Sequence, residues 1–281
     1  MLVDYHIHPD YSIDAEEHSI DMYCSRAVKL NINELCFTPH FECDPVRKEK
    51  DCYVRLNCHM HSMEDWRWLD FYFNEIENAR VKYQPYGLNV KAGMEIGYDI
   101  GLESTIKEVV NTYPFDYILG SVHTLDHCAI SNKEESGNYF QGKTPEKVME
   151  QYYDVIYKMV ETNLFDCIGH IDLYRRYGVK YLGSEMKQVN KELVEPILMK
   201  ITEFNMGLEI NTSSRRRGHN EFHPNFELLK LAVECGVEIF TIGSDAHRLS
   251  ELGDGIKEAY ELLNELGQNI TVYDRRIPSV V

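Results

Sequence analysis

Short apolar runs alternate with longer amphipathic stretches along the whole of this chain. The runs are LVDYHIH (2–8), ELCFTPH (34–40), VKAGMEIG (90–97), YILGSVH (117–123), DCIGHIDL (166–173), MGLEINTS (206–213) and EIFTIGSDAH (238–247). Each is brief and most are bounded by Gly, Pro, Asn or Asp, which predicts strands. Between them, apolar residues recur at three- and four-residue spacing over 17–30, 65–83, 102–111, 145–161, 184–204 and 225–235, and 248–266 follows the last run. These stretches predict helices. Thr144-Pro145 marks one helix start, because threonine caps free N–H groups and proline suits the first helical position.

Strands that each lead into a helix imply a parallel sheet with helical crossovers. Seven such units predict a distorted seven-stranded (β/α)7 barrel, TIM-like but one unit short. An open doubly wound sheet is the alternative. The length suits one domain over residues 1–281. Two stretches interrupt the pattern, 41–64 and 124–143, and both are long, polar and predicted irregular. Both follow strands, so both overhang the carboxyl-terminal face of a barrel, where long loops tend to be functional.

The strand ends carry the candidate chemistry. His6 and His8 close the first, His40 the second, and His123 the fourth; Glu95 lies near the end of the third and His170 late in the fifth. Asp245 and His247 close the seventh, and Asp14 follows the first. In a parallel barrel these ends meet on one face, so nine potential ligands converge there. A single histidine at a strand end is most often structural; six of twelve on one rim is the informative observation. Imidazole with carboxylate suits Zn, Fe or Mn, and nine ligands serve three ions at three apiece. His59 and His61, in CHMH, are read as solvated loop residues, while His127 and His223 stay open.

Composition narrows the partners. The formal net charge is −17 with no basic stripe, which argues against polymeric nucleic acid and anionic membranes. No apolar run approaches the roughly 18 residues that span a bilayer, and no signal-like segment precedes the first strand. The eight cysteines form no CxxC pair and read as free structural thiols, so a cytoplasmic protein is expected. Oligomeric state is not legible.

HIHPDYSID, TPHFE, GMEIGY, GSVH, GHIDL and GSDAH together resemble the polymerase-and-histidinol-phosphatase (PHP) superfamily, and NTSSRRRGHNEFHP is similar to its histidinol-phosphate phosphatases. The resemblance covers the whole chain. It implies a trinuclear centre: His6, His8, Glu95 and Asp245 on one ion; Glu95, His123 and His170 on a second; Asp14, His40 and His247 on a third. Many relatives carry a histidine where this chain has Asp14. The resemblance also implies phosphate-binding roles for Arg176 and Arg216, which follow strand ends on the same rim; their neighbours Arg175, Arg215 and Arg217 are read as solvated.

The activity so implied is that of a phosphoric monoester hydrolase acting on L-histidinol phosphate in histidine biosynthesis. A metal-bridging hydroxide would attack phosphorus, with Glu95, Asp245 and His247 as catalytic residues. Asp245, Asp172 or His223 would protonate the leaving group. The alternatives are a phosphodiesterase or phosphatase of nucleotides or another phosphorylated metabolite, and a non-enzymatic metal-binding regulator. The arginines weigh against the last. A metal-dependent amidohydrolase lacks the lysine it would need at a strand end.

Overall fold

The computed structural model describes residues 1–281. Seven strands form the sheet: β1 (Val3–Ile7), β2 (Glu34–Phe37), β3 (Asn89–Gly97), β4 (Tyr117–Ser121), β5 (Cys167–Ile168), β6 (Gly207–Asn211) and β7 (Phe240–Gly243). Neighbours pair in that order and all pairings are parallel. The ring closes just beyond β7, where the His8 N–H donates to the Ala246 carbonyl at 2.9 Å and the Ala246 N–H to the His6 carbonyl at 3.3 Å. Below that point the buried Asp4 carboxylate replaces ladder bonds, accepting from the N–H groups of Ser244 and Gly253 at 2.8 and 3.0 Å. The barrel expected from the alternation is present, and the open sheet is not.

Two local breaks in regularity place side chains. In β1 the register passes from Asp4↔Leu35 to Ile7↔Phe37, so one extra residue bulges. The bulge turns both Tyr5 and His6 inward. Tyr5 packs against Tyr117 and Tyr273 at the floor, and His6 stands above them. After β2, Thr38-Pro39 interrupts pairing, which resumes when His40 and Phe41 oppose Glu95 and Ile96 of β3.

The helices follow the predicted spacing, with Ser19, Thr144 and Asn225 capping Ile20–Leu30, Pro145–Glu161 and Phe226–Glu234. Three boundaries differ. The 166–173 run pairs only at Cys167–Ile168, because the chain turns at His170, whose φ is +23°. The 184–204 stretch divides into a 3-10 turn, Ser184–Lys187, and a helix, Lys191–Glu203. In 248–266 only Ile256–Glu265 is α-helical.

The segments predicted irregular have structure of their own. Residues 53–56 and 59–62 form a hairpin that turns at Asn57 and Cys58, both with positive φ, which suits a two-residue turn. The second stretch holds a small hairpin, 124–125 with 128–129, and a helix, Ser136–Phe140. Arg47 of the first arm ties them, donating from Nη1 to the His127 carbonyl at 2.9 Å and to Glu135 at 2.8 Å. A further hairpin, 271–274 with 277–280, went unpredicted; Tyr273 and Arg276 fasten it beneath the barrel to Asp166. No helix is long and apolar enough to cross a membrane.

Candidate metal centre

Every one of the nine predicted ligands arrives at the carboxyl-terminal mouth of the barrel, around Glu95. Its Oε2 lies 3.2 Å from His6 Nε2, 3.4 Å from His8 Nε2 and 2.9 Å from His40 Nδ1. Its Oε1 lies 3.2 Å from His123 Nε2 and 2.9 Å from His170 Nε2, and accepts from Ser121 Oγ at 2.7 Å. One carboxylate thus faces two sets of imidazoles, one per oxygen. Asp245, in the left-handed region at φ +54°, brings Oδ1 within 3.4 Å of His8 Nε2 and of His247 Nδ1. Asp14 Oδ2 lies 3.5 Å from His40 Nε2 and 3.2 Å from His247 Nε2.

The spacing admits three ligand groups of the expected kind. His6, His8 and Glu95 form one, without Asp245, and Glu95, His123 and His170 another. In the third His8 joins His40 and His247 in place of the expected Asp14, and His40, Glu42 and His123 also lie close enough to form a group. His8 therefore lies within reach of two groups, its ring 4.1 Å from those of both His40 and His247. The test of fit is the state of the buried lone pairs. His6 Nε2, His8 Nε2, His40 Nδ1 and Glu95 Oε2 are all buried without a hydrogen-bond partner, and all point at one another's space. Buried polar atoms are ordinarily satisfied, and leaving one unmet costs about 1–3 kcal/mol. Cations of the Zn, Fe or Mn type would satisfy this nitrogen and oxygen set.

Electrostatics agree. Burial opposes charge on Glu95, but the imidazoles of His6, His123 and His40 outweigh it and hold the carboxyl well below the usual range. Asp245 is held low in the same way, by His6, His8 and His247 against burial. For His123, burial disfavours the cation, yet Glu95 and Glu42 raise it to about 9.

A second layer fixes the ligands, and the sequence reading missed most of it. Glu209 of β6 is buried, with Oε1 2.6 Å from His6 Nδ1, while Oε2 accepts the His170 N–H at 2.9 Å and Asn211 Nδ2–H at 3.2 Å. One carboxylate thereby orients ligands of two groups. Gly243 makes room, since a Cβ there would strike His6 and Glu209. Glu42 Oε1 lies 2.7 Å from His123 Nδ1, and Gly97 is bare because a Cβ would strike that carboxylate. Ser12 Oγ sits 3.2 Å from His8 Nδ1 and accepts the His40 N–H at 3.1 Å. A charged residue inside the short apolar run GLEIN was the one available signal for Glu209.

Both expected arginines reach the centre. Arg176 Nη2 donates to Asp245 Oδ2 and Ser213 Oγ, each at 3.2 Å, and Arg216 Nη2 donates to the carbonyls of Ser244 and Asp245 at 2.7 and 3.1 Å. Arg176 Nε has no hydrogen-bond partner, and Arg216 Nη1 has none either, its nearest acid being Asp254 Oδ2 at 3.6 Å. Burial lowers the Arg176 pKa, as does the neighbouring Arg217. Arg217 lines the cavity with them. Arg175 departs from expectation: it is buried and paired with Asp172 and Glu221. Asp172 is fully engaged, with His223 Nδ1 2.5 Å from Oδ1 and the Asn225 N–H donating to Oδ2 at 3.0 Å. His223 lines a separate small pocket with Arg175, Lys187 and His219. Neither Asp172 nor His223 lines the cavity, which leaves Asp245 among the three candidates for proton delivery. His127 sits on the arms beside Asp44 at 2.7 Å, and His59 and His61 are exposed on their hairpin.

The centre opens into a cavity of about 1190 Å³, walled by the two arms on one side and by Arg216, Arg217 and Arg248 on the other. Comparison with known proteins agrees with this architecture. A histidinol phosphate phosphatase of Lactococcus lactis subsp. lactis, solved with zinc, L-histidinol and phosphate, superposes with a TM-score of 0.78 at 21% identity, covering 99% of this chain and 98% of that one. The histidinol-phosphatase sequence from that organism is 26% identical over 275 residues, 94% of this chain and 91% of the relative. A probable histidinol-phosphatase of Deinococcus radiodurans is 26% identical over 254 residues, 90% of each. The model of the PHP domain matches residues 4–213, which include seven of the nine ligands, and the chain belongs to the PHP domain family.

Proposed function

We propose that this chain is a metal-dependent phosphatase that hydrolyses a small phosphate monoester, L-histidinol phosphate, to L-histidinol and phosphate. The observation that carries the reading is the unsatisfied donor set around Glu95, beside two arginines with free N–H groups, at the base of one cavity. Similarity to histidinol-phosphatases over nine-tenths of the chain supports the substrate. We read residues 1–281 as one domain, because the last hairpin packs beneath the barrel.

Three divalent ions would be held by His6, His8, Glu95 and Asp245; by Glu95, His123 and His170; and by Asp14, His40 and His247. Zn, Fe and Mn all accept these donors. When bound, such ions lower the pKa of water toward about 7 and offset phosphoryl charge. The chain's own residues do the remainder. Arg176 Nε makes no hydrogen bond and Arg216 Nη1 meets only Asp254 Oδ2, at 3.6 Å, so both would donate to phosphoryl oxygens, a planar match that lysine does not offer. His247 Nδ1 lies 3.0 Å from the Asp245 carbonyl and 3.4 Å from its Oδ1, which helps to fix that carboxylate. Asp245 Oδ2, accepting from Ser213 Oγ at 2.9 Å, is placed to carry a proton. Water oxygen bonds to phosphorus and gives up a proton to the ionised Asp245 carboxylate, the P–O ester bond breaks, and the leaving alkoxide takes that proton from Asp245.

The test is phosphate release from a panel of L-histidinol phosphate, mononucleotides and phosphotyrosine. L-Histidinol phosphate should give the highest kcat/KM; a nucleotide at the top of the panel would refute the substrate.

A further inference from the structure

The arm formed by residues 41–64 supplies none of the nine ligands, yet it grips one of their loops. On its hairpin, Arg55 is inserted against the segment that follows β1. The guanidinium Nη1 donates to the carbonyls of Asp10 at 3.3 Å and Ala15 at 3.0 Å, and Nη2 donates to the Ile13 carbonyl at 2.8 Å. The Arg55 N–H adds a bond to the Tyr11 carbonyl at 3.0 Å. Arg55 itself is only 15% exposed. Three carbonyls converge on one cation, and only the rigid multi-donor fork of arginine meets them together.

Two of those carbonyls, from Ile13 and Ala15, flank Asp14 in the chain. Asp14 is the ligand most in need of such support. The other eight lie on barrel strands or within four residues of their ends, whereas Asp14 lies seven residues past β1. Its side chain is 55% exposed, against 1% for Glu95 and 6% for Asp245. The N–H of Glu16 donating to the His247 carbonyl at 2.9 Å ties the loop's far side to β7. On the near side Ser12 Oγ holds the loop to His8 and His40, and Arg55 holds the carbonyls on both sides of Asp14.

We infer that Arg55 is a positioning residue for Asp14, so that docking of the 53–62 hairpin sets occupancy of the third ion site. The inference rests on the proposal that Asp14, His40 and His247 hold that ion. Linkage then works both ways: the ion stabilises the docked arm as much as the docked arm stabilises the ion.

The test measures Zn2+ equivalents and affinities on the full chain for the wild type, Asp14→Asn, Arg55→Met, Arg55→Lys and the Asp14→Asn/Arg55→Met double variant. Amide exchange over residues 10–17 is followed in parallel. The wild type should hold three equivalents and Asp14→Asn two. Both Arg55 variants should bind the third ion at least ten-fold more weakly, keep the other two, and exchange faster around Asp14. The double variant should lose no more ions than Asp14→Asn. If Asp14→Asn loses an ion while both Arg55 variants hold three at wild-type affinity, the role of Arg55 is overturned and the three-ion reading stands. If Asp14→Asn holds as many ions as the wild type at the same affinity, Asp14 is not a ligand and the inference falls with that assignment; a wild type that holds fewer than three overturns the three-ion reading itself. Loss of every ion in both Arg55 variants would assign Arg55 to the fold as a whole and overturn its specific role.

Discussion

Glu95 faces five imidazoles with two oxygens, so its removal should be felt by more than one ion. Replacing Glu95 or His170 by alanine is expected to lower bound metal and phosphatase turnover together, turnover by a hundred-fold or more. Metal analysis beside initial rates checks this, and full turnover in a metal-depleted His170→Ala protein would be incompatible with it. Glu209→Gln should act more gently. The amide keeps the shape but not the charge that orients His6, and an outer carboxylate of this kind is worth about 10- to 100-fold in metal affinity. Competition with a graded series of chelators reads that difference. Arg216→Ala should raise KM more than it lowers kcat, because in the proposed role its Nη1 would meet the phosphate in ground and transition states alike. The candidate ligands were legible because the ends of parallel strands meet on one face of a barrel, so six histidines could be placed from the sequence. Glu209 was not, because a lone acid in an apolar strand looks the same whether it orients a ligand or satisfies a backbone donor.

The two arms are the elements in which sequence and structure part most. Their polar composition concealed hairpins whose turns rest on Asn57-Cys58 and Asp126-His127 at positive φ, and no Asn-Gly or Asp-Gly pair announced either. Beside the contact of Asp44 with His127, what joins the arms is a buried arginine, Arg47, on Glu135. Its hydrogen bonds hold the Glu135 carboxyl down at about 2, against some opposition from burial. A folded pKa below the ordinary value of 4.5 means stability that is present above pH 4.5 and lost as the pH falls through about 2. Glu135→Gln should therefore destabilise the metal-free protein at neutral pH, by about 1 kcal/mol once solvent screening of the partly exposed pair is allowed for. That penalty should shrink toward pH 2. Denaturant unfolding of both proteins at pH 7 and pH 3 checks the sign; a penalty that grew on acidification would contradict it.

At the scale of the molecule, the barrel was legible from alternation alone, and the contacts that close it were not. β1 meets the segment after β7 through backbone bonds at His6, His8 and Ala246 and through the Asp4 carboxylate, contacts between the two ends of the chain. The bulge that turns Tyr5 and His6 to the same side, and the hairpin that carries Tyr273 under the floor, are likewise products of tertiary packing. Closure is what brings His6 and His8 beside Asp245 and His247, so the fold and the centre stand or fall together. The most direct measurement is phosphate release from L-histidinol phosphate as the metal-free protein is titrated with Zn2+ or Mn2+, with bound metal measured at each step. Release should appear as the ions bind, vanish on chelation and return on reloading. A fully loaded protein that released no phosphate, or a metal-free one that released it as fast, would contradict the account.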